Sequence, residues 1–300
     1  MPNFTTSSST PEAQLFYQDY NAGGAAGTVV LIHGWPLSWR MWEPQLLPLT
    51  RAGYRVIAYD RRGFGSSAFP DGGYDYDTFA ADLKDLLDEL DLQDVTLVGF
   101  SMGGGEVARY FGRYGSERVG KVMFVSSVAP CMLKTDANPD GVPREELDKI
   151  KAGIEKDRPS FLADFGKQFV NWGPLDHPVS KEMLEYAHAI ATMAQPKATL
   201  ECVDAFGTTD FRPDMARIDV PTLFVHGDAD QIVPIDASAR QGHRMVPQSE
   251  IEEISGAPHG LNLTHTERFN EILLGFLGGP EGAPARPAMA DQPYDDIPMV

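Results

Sequence analysis

One serine of this chain stands in a context that favours nucleophilic chemistry. Ser101 is the centre of a Gly-x-Ser-x-Gly pattern that runs from Gly99 to Gly103. An apolar, β-rich run over 95–98 precedes the pattern, and a helical spacing of apolar residues follows it from Val107. A strand, a tight turn and a helix in this order form a nucleophile elbow, in which the turn exposes the serine hydroxyl. We therefore predict that Ser101 is a nucleophile at the end of a strand.

A serine hydroxyl attacks only when a base removes its proton and a carboxylate orients that base. In this architecture the acid and then the histidine follow the serine along the chain. The next strand ends at 126–130 without a carboxylate, so the acid is either Asp228 or Asp230, after the following strand. We select His259 as the base, because it lies in a Pro/Gly loop beyond a strand, where function concentrates. The other two histidines after the acid fall in helical patterns.

Acyl transfer also needs backbone N–H groups that stabilise the negative charge on the acyl oxygen. Met102 directly follows the nucleophile and supplies the first of these groups. The second is expected from the loop after the strand that ends at His33. Pro36 has no N–H, so Trp35 is the predicted donor.

Apolar runs of buried-strand type alternate with helical patterns over most of the chain. This alternation predicts an α/β fold with a mostly parallel, doubly wound sheet. Between 131 and 211 the alternation stops and a helical segment rich in large apolar residues follows, which we interpret as an inserted cap. The predicted organisation is a flexible N-terminal arm over 1–13, an α/β core over 14–130 and 212–277, a helical cap over 131–211, and an acidic, Pro/Gly-rich tail over 278–300.

The composition excludes several functional classes. A formal net charge of −18 argues against nucleic acids and anionic membrane surfaces as partners, because both need basic patches. No apolar run approaches the ~20 residues that span a membrane, and the N-terminus lacks the features of a signal peptide. The two cysteines, Cys131 and Cys202, make neither a disulfide framework nor a metal site. We expect a cytoplasmic enzyme with no metal.

Several motifs taken together resemble the α/β-hydrolase superfamily, and within it the cofactor-free bacterial haloperoxidase/arylesterase (perhydrolase) family. In such enzymes the second aspartate of Gly-Asp-x-Asp is the acid, so the resemblance implies Asp230. The matching stretches lie at residues 33–38, 59–66, 74–79, 99–105, 209–214, 226–234 and 257–260. The predicted substrate pocket comprises Pro36, Val128, Phe165, Phe169, Phe206 and Ile232.

The resemblance implies a serine hydrolase of small carboxylic esters, aryl or short-chain acyl, that works through an acyl-enzyme and without a cofactor. Water or hydrogen peroxide would then release an acid or a peracid, and the free peracid would oxidise a halide. Two alternatives keep the same triad. One is a carbon–carbon bond or lactone hydrolase, and the other is a ligand-binding relative with little turnover. The resemblance also implies a homo-oligomer, with a trimer as one arrangement.

Pro36 leads to a further hypothesis about the second nucleophile. Proline restricts the preceding residue to extended conformations, so Pro36 should set the direction of the Trp35 carbonyl. Hydrogen peroxide keeps one O–H while it attacks, and a carbonyl close to the acyl carbon would accept that hydrogen. Peracid-forming relatives carry the same His-Gly-Trp-Pro arrangement, which supports this interpretation. The alternative is that Pro36 only stiffens the loop.

Overall fold

The computed structural model describes residues 2–278, and one sheet runs through this part of the chain. The strand order in space is β1-β2-β4-β3-β5-β6-β7-β8; β1 and β2 are antiparallel and the other six strands are parallel. The central strands are buried along their length, which agrees with their continuous apolar runs. The predicted α/β-hydrolase sheet is therefore confirmed. Its strands are β1 (Asn3–Thr5), β2 (Gln14–Tyr20), β3 (Thr28–Ile32), β4 (Arg55–Tyr59), β5 (Val95–Phe100), β6 (Val119–Val125), β7 (Thr222–Gly227) and β8 (Ser249–Ile254).

Helices connect the strands and cover the sheet. They are α1 (Glu43–Arg51), α2 (Tyr76–Glu89), α3 (Met102–Tyr114), α4 (Arg144–Phe169), α5 (Lys181–Thr192), α6 (Pro196–Thr208), α7 (Arg212–Met215), α8 (Ala239–Met245), α9 (Leu261–Thr264) and α10 (Thr266–Leu277). The helix α3 packs on β5 and on α2, while α1 packs on β4 and on α10. Between residues 2 and 278, no helix combines the length and the apolar character needed to cross a membrane.

Helices α4, α5 and α6 lie in the range of the predicted cap, and α5 and α6 both pack on α4. Helix α4 is kinked at Asp157, two residues before Pro159, because proline disfavours helical geometry in the residues that precede it. Two hydrogen bonds join α6 and its N-cap to the core. Trp35 Nε1 donates to the Thr199 carbonyl at 3.0 Å, and the Gln195 N–H donates to the Gly63 carbonyl at 2.8 Å.

The N-terminal segment differs from the predicted flexible arm. Residues 3–5 form β1, and the chain that follows is held by two buried charged side chains on the core. The Asp85 carboxylate accepts the N–H of Ser7 at 2.7 Å, and the Arg62 guanidinium donates to the Ser9 hydroxyl at 2.6 Å. The Ser/Thr-rich composition suggested a loose chain, but the same polar groups satisfy these buried charges. Residues 279–300, nearly all of the predicted tail, lie outside the described residues.

The arm depends on a buried ion pair between Arg62 and Asp82. Two parallel hydrogen bonds of 2.7 and 2.6 Å join them, and both side chains are at most 1% exposed. Such a bidentate pair is strong, and removal of one partner leaves an uncompensated buried charge.

We expect Asp82→Ala to lower the free energy of unfolding by about 3–5 kcal/mol, because Arg62 would stay buried without its counter-ion. The matched control is Lys84→Ala on the same helix, which breaks an exposed pair with Asp88 and should cost less than about 1 kcal/mol. Urea unfolding at neutral pH measures both values. Equal losses in the two variants would contradict the structural role of the buried pair.

Candidate active site

Ser101 lies in the turn between β5 and α3, in a strained backbone conformation with φ 52° and ψ −117°. The turn closes only because its flanking residues are glycines. A Cβ on Gly99 would lie 2.6 Å from the Gly103 carbonyl oxygen, and a Cβ on Gly103 would lie 2.5 Å from the Ile32 oxygen. Both separations are far below a normal contact. The Gly-x-Ser-x-Gly spacing is therefore a steric requirement of this turn.

The fold brings Ser101, His259 and Asp230 into one hydrogen-bonded chain. His259 Nε2 lies 3.0 Å from Ser101 Oγ, and His259 Nδ1 lies 2.7 Å from Asp230 Oδ2. An ionised carboxylate only accepts, so Nδ1 carries the hydrogen and Nε2 is free to accept the serine proton. The His259 and Asp230 side chains are at most 1% exposed. This geometry is suited to general-base activation of the serine.

The Asp230 carboxylate is the most heavily hydrogen-bonded acid near the serine. Its Oδ1 accepts the backbone N–H groups of Ile232 and Val233, each at 2.9 Å. Burial raises the pKa of Asp230, but the charge of His259 and hydrogen bonds from His226 and His259 outweigh burial and hold the pKa well below its usual range. Asp230 therefore remains an anion at neutral pH and can stabilise an imidazolium at His259.

The other candidate acid, Asp228, has a different environment. Asp228 is exposed, and its Oδ1 accepts the N–H of Gly256, in the loop after β8, at 2.6 Å. This contact links two loops and does not involve His259. Of the two aspartates that sequence reasoning left open, the structure brings only Asp230 to the histidine.

Two phenylalanines hold the His259 ring edge-on. The ring centroids of Phe100 and Phe169 lie 5.2 and 5.1 Å from that of His259, in T-shaped arrangements. The N–H of Gly260 donates to the Phe169 carbonyl at 2.7 Å, and a Cβ at Gly260 would lie 2.5 Å from the Phe169 ring. The end of α4 thus contacts the histidine loop directly, so the cap contributes to the position of the base.

The predicted oxyanion donors lie beside the serine. Met102 is the first residue of α3, where backbone N–H groups lack helical partners and favour negative charge. Trp35 lines the same cavity as Ser101, and its indole is held by Phe165 and Phe206. Among residues 2–278, neither the Trp35 nor the Met102 N–H donates to a backbone carbonyl. Both amides are thus available, and their role as an oxyanion hole stays a prediction.

A cavity of about 50 Å³ adjoins Ser101, and its lining is apolar except for the serine hydroxyl. Four predicted pocket residues line it: Val128, Phe165, Phe206 and Ile232. Sequence reasoning missed five lining residues, four of them in a stretch with no clear periodicity before and within α4: Met132, Val142, Leu147, Ile150 and Val233.

The prediction placed Pro36 and Phe169 in this pocket, but they line a second, adjacent cavity of about 30 Å³. The Phe169 ring packs on His259. Pro36 lines the second cavity together with residues of α4 and α5. Phe165 lines both cavities and therefore stands between them.

His226 is not among the predicted site residues, and the structure places it against the acid. Its Nε2 lies 3.1 Å from Asp230 Oδ2 and 3.0 Å from the Val233 carbonyl oxygen. The side chain is fully buried. The only signal in the sequence is that His226 ends the strand four residues before Asp230.

We expect Asp230→Asn to lower kcat by roughly 10⁴-fold, because the amide would hold His259 in the wrong tautomer. Asp228→Asn is the matched control, and its loss should stay within about tenfold, since the lost interaction is one exposed loop contact. Hydrolysis of p-nitrophenyl acetate measures both variants. A larger loss in Asp228→Asn than in Asp230→Asn would reverse the assignment of the acid.

Comparison with known proteins identifies the family to which the chain belongs. A family model described as the alpha/beta hydrolase fold matches residues 27–266. The chain is 45% identical to a non-heme chloroperoxidase of Kitasatospora aureofaciens, over 88% of this chain and 96% of that protein. It is 36% identical to a bifunctional esterase/perhydrolase of Acinetobacter calcoaceticus, over 88% of this chain and 95% of that protein.

A solved structure shares the complete fold. The crystal structure of a bromoperoxidase from Bacillus anthracis superposes with a TM-score of 0.87 at 47% identity, covering 92% of this chain and all of that one. The range matched by the family model includes strands β3 to β8, helices α4 to α6 and every residue of the predicted triad. The chain therefore belongs to the α/β-hydrolase fold family, in the group that contains the non-heme haloperoxidases and esterase/perhydrolases.

Proposed function

We propose that this protein is a serine hydrolase of small, uncharged carboxylic esters and that it also forms peracids from hydrogen peroxide. The observation that carries the proposal is the hydrogen-bonded chain from Ser101 through His259 to Asp230 beside an apolar cavity. The similarity to an esterase/perhydrolase and to a non-heme chloroperoxidase supports both activities.

In the acylation step, Ser101 Oγ attacks the acyl carbon while His259 Nε2 takes the hydroxyl proton. The N–H groups of Trp35 and Met102 donate to the oxyanion of the tetrahedral intermediate. His259 then gives its proton to the leaving alcohol, and the carbon–oxygen bond of the ester breaks. Asp230 stabilises the imidazolium throughout this step and does not itself take the proton.

In the second step, water or hydrogen peroxide attacks the acyl-enzyme. His259 takes one proton from the nucleophile and passes it to Ser101 Oγ as the acyl bond breaks. Water gives the carboxylic acid, and hydrogen peroxide gives the peracid. A peracid released into solution oxidises a halide ion to hypohalite by two electrons and is itself reduced to the carboxylic acid.

The two cavities support an apolar, uncharged substrate on both sides of the ester. The acyl group fits the cavity that Ser101 lines. The leaving alcohol must face His259, which protonates it, and Phe169 both contacts that ring and lines the second cavity. A charged group in either cavity would lose its hydration without gaining a partner, which is costly. Esters that carry a carboxylate should therefore be poor substrates.

We expect Ser101→Ala to remove ester turnover, by on the order of 10⁴-fold or more, because triad members act as a unit. The wild type should give a burst of p-nitrophenol and incorporate one fluorophosphonate at Ser101. A binding protein of this fold would show neither. Lactones and vinylogous 1,5-diketones, assayed beside the esters, distinguish an ester hydrolase from the carbon–carbon and lactone alternatives.

We expect Pro36→Leu to lower the ratio of peracid to hydrolysis product severalfold while ester hydrolysis roughly holds. Among the described residues, the Trp35 carbonyl receives no backbone hydrogen bond, so it is free to accept the second O–H of hydrogen peroxide. A hydrogen bond made only in the transition state for perhydrolysis raises that rate selectively, about tenfold per ~1.4 kcal/mol. Both products are measured on the same acyl donor.

The control for this variant is Pro48→Leu in α1, a proline that lines neither cavity and should leave the ratio unchanged. If Pro36→Leu reduced both activities together at a constant ratio, Pro36 would only stiffen the loop.

We also propose that the enzyme acts in the cytoplasm as a homo-oligomer, as the resemblance implies. Both cysteines are buried and unpaired, as in a reducing compartment. Light scattering of the purified protein would give the mass, and a monomer at micromolar concentration would contradict the oligomer.

A further inference from the structure

His226 lies at the end of β7, fully buried, with one face against the acid loop. Its Nε2 is 3.1 Å from Asp230 Oδ2 and 3.0 Å from the Val233 carbonyl oxygen. Both neighbours are acceptors, so Nε2 must carry a hydrogen and donate it. The same Val233 donates its N–H to Asp230 Oδ1 at 2.9 Å. His226 therefore holds the acid and the turn that carries it at the same time.

The opposite nitrogen, Nδ1, is buried and has no hydrogen-bond partner among the described residues. An unsatisfied N–H there would be more costly than a bare acceptor, and a second hydrogen would make the ring a buried cation. The neutral ring with hydrogen on Nε2 is therefore the form that fits. A histidine with a packing role alone would not need the contacts that Nε2 makes with Asp230 and Val233.

We propose that His226 is a positioning residue for the reaction, acting through Asp230 on His259. Its Nε2–H supplies the second hydrogen bond to Oδ2, the oxygen that also accepts from His259 Nδ1 at 2.7 Å. Without that donor, Oδ2 keeps only the hydrogen bond to His259. The two backbone N–H groups at Oδ1 then hold the other oxygen, and the carboxylate turns more easily about its Cβ–Cγ bond. The inference rests on the proposed function, since its consequence is measured on the serine reaction.

The hydrogen bond from His226 also tunes the carboxylate. A donor to Oδ2 draws charge from that oxygen and makes Asp230 a weaker base. His259 and His226 are the titratable groups that lower the pKa of Asp230 against the effect of burial. Loss of the His226 donor should make the carboxylate more basic, which favours the imidazolium form of His259.

The test compares His226→Asn with His226→Gln. The amide nitrogen of glutamine is four bonds from Cα, as Nε2 of histidine is, so Gln can donate to Asp230 and Val233. The amide nitrogen of asparagine is one bond closer to Cα and does not reach them. We expect His226→Asn to lower kcat by about 10- to 100-fold, as loss of one hydrogen bond to a charged group predicts. KM should stay within about twofold, because His226 lines neither cavity.

Three readouts separate positioning from a purely structural role. In His226→Asn, the acidic limb of the kcat/KM–pH profile should move to higher pH. The downfield ¹H NMR signal of the His259 Nδ1–H should shift. His226→Gln should restore most of kcat and return the acidic limb and the NMR signal close to their wild-type positions. Rates are normalised to the p-nitrophenol burst, which counts correctly folded sites. The control for stability is His243→Asn, at a partly buried histidine that contacts Ser249. This variant should leave kcat, the acidic limb and the NMR signal unchanged.

Equal losses in the Asn and Gln variants, with the limb and the NMR signal unmoved, would overturn the inference and leave His226 a packing residue. A wild type that gives no burst and no fluorophosphonate labelling would instead overturn the proposed function. The NMR comparison of the two variants does not need turnover and would still decide the role of His226.

Discussion

The backbone turn at Ser101 is the constraint on which the remaining site depends. A positive φ at a serine is costly and persists only where the surrounding structure holds it. Three contacts do so: the Ser101 N–H donates to the Val125 carbonyl at 2.8 Å, its own carbonyl accepts from Gly104 at 2.9 Å, and Gly103 packs against the Ile32 carbonyl. Because β3, β5 and β6 all contribute, the nucleophile is placed by the rigid centre of the sheet.

A buried ionic cluster lies behind this turn and joins the same elements. Arg61, just after β4, donates to Glu106 on α3 at 2.7 Å and to the His33 carbonyl after β3 at 3.0 Å. Tyr59 donates to the same carboxylate. Burial raises the pKa of Glu106, and both charged side chains are fully buried. These hydrogen bonds link the loop after β3 to the helix that follows Ser101, while Arg61 Nη1 is buried without a hydrogen-bond partner among the described residues.

The cap is connected to both triad loops at the end of α4. Its Phe169 carbonyl accepts from Gly260 beside the base, and Asn171 Nδ2 donates to the Ala229 carbonyl at 3.2 Å beside the acid. The residues that shape the cavities therefore also support the catalytic geometry. A change in α4 would therefore affect both the lining of the cavities and the contact with the His259 loop.

Local patterns in the sequence were sufficient for the sheet and for the serine turn, because these features depend on near neighbours along the chain. The choice of Asp230 needed the family resemblance, and its carboxylate lies 2.7 Å from His259 Nδ1. Contacts between distant residues could not be inferred in this way. Ser101 and His259 are 158 positions apart, and no spacing indicates that Phe169 faces His259 instead of the acyl cavity, that Arg62 and Asp85 hold the N-terminal segment, or that His226 reaches Asp230. Only tertiary packing decided these contacts, since a buried polar or aromatic group takes its partner from whatever the fold brings beside it.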